Sequence, residues 1–513
     1  MKYRSVFVFV LIAALLLPTM VSAQTGTYPN PGTSVTNIVV QNTSTTVGNV
    51  ATVQVQYYDT EGNLDHTRTN VSIDPKAVKE IKTEDETVLG DGWAGSAVMS
   101  SDTPLAAIVS VRNSNVPVGD GITQGAYNGT NEPANTLYFP SVYGFQFIVS
   151  RLSVQNTEAT EALVTLSFFK RDGTPLGTKQ ATIKGYAQRT FYLGNPADLP
   201  VGWPSDFMDG SVTVTSENKL AGAAVTTWAN RSGAYQALTD NNKGKTLYAP
   251  SMFRYKFNPP AGFNPLTDQF TLFSAINIQN TSPTASAHIT ATFYSRGDVS
   301  GTPVLVVPYT IPPSSAVGMN LKNGGDLAAT VFDALTKGSP FDWDGSVTVV
   351  SDQDVVGVGI TTWEDGVNID SGVYAMVTPN DGASSLFVPA QYRIDWGSGW
   401  AQWSAINLQN VGLTTISKSD LTIQYIDTDG NEIATFTGAQ LPFDLASGAA
   451  LGLNTRNGGD LAASAFAGFP AVSGLPRFIG GIYVTGPVGS QLVGVANIIY
   501  NNRASVYNAF PGE

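Results

Sequence analysis

The chain has 513 residues, with 27 basic against 40 acidic side chains, a net charge of −13, no cysteine and only two histidines. An acidic balance without any Lys/Arg cluster excludes nucleic acid and anionic membrane as natural partners, and the missing cysteines exclude disulfides as the source of stability. A 42% hydrophobic fraction beside only 13% charged residues fits a self-supporting domain protein with a neutral, polar surface.

Lys2 and Arg4 precede an apolar run from Val6 to Leu17, then Pro18 and the small-residue ending Val21-Ser22-Ala23. This is the layout of a Sec signal peptide, residues 1–23, cleaved before Gln24. The run falls short of the roughly 20 residues that span a bilayer, and no later stretch is long and apolar enough to do so. The expected product is secreted and associates with the cell surface indirectly. Its net charge is −15, from 25 basic and 40 acidic residues. Residues 24–36, with Tyr28-Pro-Asn-Pro31, read as an extended segment.

One pattern is then written four times: Asn37-Ile-Val-Val-Gln41-Asn42, Arg151-Leu-Ser-Val-Gln155-Asn156, Ala275-Ile-Asn-Ile-Gln279-Asn280 and Ala405-Ile-Asn-Leu-Gln409-Asn410. Its alternation predicts a half-buried strand running into a turn. The intervals between the Asn residues are 114 (156 − 42), 124 (280 − 156) and 130 (410 − 280), the size of whole domains. In the second to fourth copies an opening segment comes first: Leu137-Tyr-Phe-Pro140, Leu247-Tyr-Ala-Pro250 and Leu386-Phe-Val-Pro389. The first copy has only a degenerate counterpart. A hairpin follows, with turns at Asp59-Thr-Glu-Gly62, Asp172-Gly173, Gly297-Asp298 and Asp429-Gly430. Gly324-Gly-Asp326 and Gly458-Gly-Asp460 predict short helices capped by the two aspartates. Two closing strands come next, such as Gly210–Val214 and Leu220–Ala224, and a last strand holds Tyr127, Tyr235, Tyr374 or Tyr507.

The predicted architecture is all-β: four tandem Ig-like antiparallel β-sandwich domains at 37–130, 136–238, 246–377 and 385–510, joined by short linkers. A four-bladed propeller is disfavoured because a four-stranded blade needs only about 40 to 50 residues. The layout resembles the immunoglobulin-like modules, of the CARDB and fibronectin type III kind, strung along bacterial secreted and cell-surface proteins. That resemblance implies a spacer, adhesive or structural role and brings no catalytic residues. Linkers of about five residues predict neighbours held end to end, as a semi-rigid rod.

His66 and His288 fall at different points of different repeats and form no triad, so both read as structural, and no enzyme is expected. Asp427, Asp429, Asn431 and Glu432 alternate oxygen ligands around a Gly turn, which makes them the calcium candidate, although an acidic Gly turn is also what a hairpin prefers. No other cofactor is indicated. Aromatic residues cluster near the openings of the third and fourth units, among them Phe253, Tyr255, Phe257, Phe263 and Tyr392, and Trp363, Trp396, Trp400 and Trp403 are the candidate ligand-binding residues. Arg296-Gly297-Asp298 is an RGD triplet placed in a hairpin turn. The expected function is a structural or adhesive cell-surface protein of a surface layer, sheath or filament, partnered by itself or by other surface proteins. The alternative is a carbohydrate-binding array that holds polysaccharide on the Trp-rich loops.

Overall fold

The computed structural model describes residues 6–10 and 33–512, apart from 115–122, 146–147, 204–208, 229–230, 257–270, 299, 337–341, 365–368, 398 and 501–502. Most of the expected leader, residues 24–32, Phe257 and Phe263 therefore lie outside the described residues. The described chain is all-β in several sheets, and its strand pairs are antiparallel.

Period-two patterning decides which faces are buried. In Ala51–Asp59, Ala51, Val53, Val55 and Tyr57 are fully buried while Thr52 is exposed, and each buried Val contributes about 1.5–3 kcal/mol. The motif strands Thr33–Asn42, Ile148–Asn156, Leu272–Asn280 and Trp400–Asn410 each lie between a short strand and a closing strand. In the second and third units the two closing strands expected from sequence are one, Asp209–Trp228 and Asp342–Glu364. The polar stretches Ser216–Lys219 and Ser351–Asp354 stay extended, and across a register shift they join the part of each strand that pairs with the opening strand to the part that pairs with the motif strand. The opening strands Ala134–Phe145, Gly244–Tyr255 and Ser385–Asp395 pair with the first part of the closing strands. In the first unit that place belongs to Val6–Val10, paired with Gly95–Ser101.

The repeated Asn closes a turn in every unit. Asn280 Nδ2 donates to the carbonyls of Ala285, Ile311 and Pro312 while its Oδ1 accepts the Ser282 amide. Asn42, Asn156 and Asn410 do the same in their own units. A short 3-10 turn at Ala329–Phe332 and another at Ala463–Phe466 replace the expected helices, and neither carries a side-chain cap.

The units meet in a closed ring, not a rod. The last strands Thr123–Asn128, Arg231–Gln236, Ile369–Ala375 and Arg503–Asn508 touch one another in cyclic order, the fourth returning to the first. Small residues allow that approach: a Cβ on Gly233 would lie 2.6 Å from Val373, and one on Gly372 2.0 Å from Val506. The Asn128 side chain, 380 residues from Asn508, donates from Nδ2 to the Asn508 carbonyl and accepts the Asn508 amide at Oδ1, and the Asn508 side chain in turn bonds the Ala375 backbone in the third unit. The apolar clusters cycle in the same sense. Val225 of the second unit packs into the first cluster, Ile360 of the third into the second, Val506 of the fourth into the third, and Ile108 of the first into the fourth.

The expected rod fails for a physical reason. A five-residue linker fixes proximity but not direction, and here the linker residues 131–132, 239–243 and 380–381 gather side by side around a polar basin of about 600 Å³.

Candidate functional site

Three sets of residues recur at the joints. The first is the hairpin glycine at positive φ, Gly62, Gly173, Gly297 and Gly430. Gly430 reaches from the fourth unit to Pro75, Asp74 and Ala77 of the first, and Gly173 reaches Pro312 of the third, so a side chain at these tips would meet the neighbour. The second is the closing-strand serine. Ser211 donates to the Ser314 carbonyl at 3.1 Å and Ser346 to the Gly448 carbonyl at 2.6 Å. The receiving residues Tyr186, Ser314 and Gly448 adopt positive φ, as does Lys76 at the equivalent place in the first unit, where the incoming closing strand has Gly481 in place of a serine and the Lys76 carbonyl accepts Gln41. The third is the motif side chain. Gln155 bonds Ser96, Gln279 bonds Thr213, and Asn407 bonds Ser251, each in the preceding unit.

Arginine completes two joints. Arg171 pairs with Asp209 of its own unit at 2.6 Å and with Asp326 of the next at 3.2 Å. Arg296 pairs in the same way with Asp344 and Asp460. Asp326 and Asp460, expected to cap helices, instead accept the Gly318 and Gly452 amides and receive the incoming arginine. The RGD arginine is thus engaged inside the ring, with Gly297 N–H donating to Ala450 across the joint.

The joint between the third and fourth units opens into a cavity of about 640 Å³, lined by Phe253, Tyr255, Trp363, Trp403, Asn454 and Arg456 among others. Trp363 ends one closing strand, and Trp403 stands on the motif strand of the next unit, 9% exposed, with Arg456 over its ring at 4.7 Å. Burial raises the Tyr255 phenol above its usual range, helped by Asp342 and Asp344 and opposed by Arg296. Apolar ring faces beside amides and a guanidinium suit a polar ligand with a flat apolar side.

The structure brings together two of the four tryptophans expected to bind ligand. Trp396 and Trp400 do not line this cavity. Trp400 lies under Arg393 at 5.1 Å, and Trp396, 61% exposed, lies under Arg477 at 4.2 Å.

At the calcium candidate, both Asp427 oxygens serve the hairpin: Oδ1 accepts the amides of Asp429 and Asn431, and Oδ2 accepts Asn431 Nδ2. Glu432 bonds Gln424 and Thr435. Asp59 repeats the arrangement with Glu61 and Asn63, and these bonds hold its carboxyl below the usual range against the opposing effect of burial. His66 meets Glu86 at 3.1 Å, beside Arg68, and His288 meets Thr310.

Sequence reasoning missed the ring axis. Its signal was the run Gly125-Ala-Tyr127, Gly233-Ala-Tyr235, Gly372-Val-Tyr374 and Ser505-Val-Tyr507, a small residue two before the tyrosine of each last strand. At the axis Arg231 bonds Glu364 at 2.9 Å and Lys322 bonds it at 2.5 Å. Burial alone would raise the Glu364 carboxyl, yet these partners hold it below its usual value.

No family model matches the chain, and no curated protein is similar to it. Among solved structures, Thermotoga maritima 1070 aligns at 16% identity over 21% of this chain and 97% of its own, with a TM-score of 0.18. A tetra-tandem repeat from the extending region of a large adhesion protein aligns at 11% identity over 93% of this chain and 95% of its own, with a TM-score of 0.10.

Proposed function

We propose that this is an exported, non-catalytic structural or adhesive protein of the cell surface, built as a closed ring of four Ig-like β-sandwiches and presenting one ligand groove between the third and fourth. The observation that carries the reading is a division of labour among residues. The repeated ones, the Asn, Gln, hairpin Gly and closing Ser, join strands and units. Other residues, Phe253, Tyr255, Trp363 and Trp403, line the groove. Although Trp363 repeats Trp228 of the second unit, tryptophan at the place of Trp403 is particular to the fourth unit, the second and third carrying Val149 and Phe273 there. A rigid frame with an aromatic groove suits recognition better than turnover. Polysaccharide is the second reading, favoured by the aromatic and amide lining, since sugar rings stack on such faces while their hydroxyls bond amides.

The test is retention of the chain from Gln24 on isolated cell envelopes and on a panel of immobilised polysaccharides, beside Trp363→Ala and Trp403→Ala variants that retain the wild-type melting temperature. Retention that falls at least tenfold in the variants supports the groove, and polysaccharide alone sufficing selects the sugar reading. Retention unchanged by both substitutions, or none on any surface, refutes it.

A further inference from the structure

In three units an opening strand of the same unit lies beside the first closing strand, and in the first unit Val6–Val10 does so, from Val6 opposite Ser101 to Val10 opposite Ala97. Those five residues belong to the leader, so the inference rests on the proposed export: once the leader is removed, the outer edge of Gly95–Ser101 has lost this partner. Other strands at sheet edges are guarded. Leu64–Ile73 carries Asp65, His66 and Arg68, Pro175–Ile183 carries Pro175 and Lys179, and Leu305–Ile311 carries Pro308. Gly95–Ser101 reads Gly-Ser-Ala-Val-Met-Ser-Ser, with no charge and no proline to discourage a further strand.

The facing wall of the second unit holds an independent signal. Gln155 reaches Ser96 at 2.9 Å, which fixes the side of Ile148–Asn156 that faces the first unit. Arg151 lies on that same side, four residues earlier along the strand. It is 1% exposed and stacks over Tyr192 at 4.8 Å, and among the described residues none of its three guanidinium nitrogens has a hydrogen-bond partner. Burial pushes this guanidinium down to about 10, with Tyr192 opposing. The third and fourth units carry Ala275 and Ala405 at this position, and there the next polar motif residue, Asn277 or Asn407, bonds Ser141 or Ser251 of the preceding unit's opening strand. Ser153 instead bonds Thr190 within its own unit. A buried guanidinium without an acceptor is strongly unfavourable, and a carboxylate is its natural complement.

We propose that the joint between the first and second units is an acceptor slot for an extended segment of a partner protein, an apolar strand that pairs with Gly95–Ser101 and is followed by an acidic residue whose carboxylate meets Arg151. Val6–Val10 shows the direction. It runs from Ser101 toward the Gly95 end, where Ser96 meets the second unit, so the acid lies C-terminal to the apolar run. Main-chain pairing supplies affinity, and the buried ion pair supplies specificity.

The experiment uses the chain from Gln24 and two labelled peptides, Val-Phe-Val-Phe-Val followed by a short Ser/Gly linker and either Glu or Gln, both amidated at the C-terminus. Fluorescence anisotropy should show saturable binding of the Glu peptide and at least tenfold weaker binding of its Gln twin. Arg151→Met should erase the difference. Equal affinity of the two peptides for the wild-type chain, or no binding of either, overturns the proposal. A self-associated chain that peptide excess cannot dissociate overturns it too, by identifying a second copy as the occupant. Should Arg151→Met fail to fold, the two peptides on the wild-type chain still decide. Mass spectrometry of the exported protein tests leader removal separately, so failure of the export reading is distinguishable from failure of the slot.

Discussion

Asn280 donates to three backbone carbonyls from a fully buried position, so truncating it leaves acceptors without a partner where water cannot follow. Asn280→Ala should cost about 2–3 kcal/mol in urea unfolding, with Asn42→Ala and Asn410→Ala close behind. The same burial means that Asn42 and Asn280, each heading an Asn-Thr-Ser glycosylation triplet, present no free amide, whereas Asn70 of Asn-Val-Ser72 is exposed. Asp370 is the complementary case, a carboxylate 1% exposed at the ring axis, accepting the amides of Ser371 and Ala504. Burial raises its carboxyl well above the usual range, although the two amides, Arg503 and Arg231 oppose the rise. A carboxyl raised in the folded state binds protons more tightly there than in the unfolded chain, so its contribution is full below the unfolded pKa and is lost as pH climbs toward the folded one. Asp370→Asn should therefore gain stability relative to wild type as pH rises from 4 to 7. A difference between the two urea-unfolding curves that is flat with pH would contradict this assignment.

The joints are where elements of different units hold each other. Removing the Arg171 guanidinium leaves Asp209 and Asp326 facing one another without their shared partner. Arg171→Met should cost about 2–3 kcal/mol, below the full value for a buried pair because both carboxylates are part-exposed. Adding Asp326→Asn should recover part of the loss, and a double-mutant cycle in chemical denaturation measures it. At this scale much was legible in the sequence. The motif strands, their hairpins and the Tyr-bearing last strands were visible because period-two alternation and Asp-Gly turns are local signals. Asp326 and Asp460 were misread as helix caps because a Gly-Gly-Asp run before alanines carries the same local signature as a cap, and only the neighbouring unit's arginine discriminates. Trp396 and Trp400 were grouped with Trp403 for a similar reason. Spacing along a chain does not reveal which side of a joint a ring will face.

Whole-molecule shape was the least legible property. The small residues before each last-strand tyrosine were in plain view, but their use depends on contacts between residues as far apart as 128 and 508, which no local pattern encodes. Closure has consequences beyond shape. Each apolar cluster borrows residues from its neighbour, so the four units should unfold together and not as independent beads. The chain contains no cysteine, so a pair introduced by substitution reports on closure without background. The most direct measurement is cross-linking of an Asn128→Cys/Asn508→Cys variant of the chain from Gln24 with a short bis-maleimide, at dilution low enough to suppress contacts between molecules. A closed ring predicts rapid intramolecular linkage and a single band of altered mobility in a denaturing gel. Linkage that appears only between molecules, rising with concentration, would show that the first and last units stand apart and that the chain is extended after all.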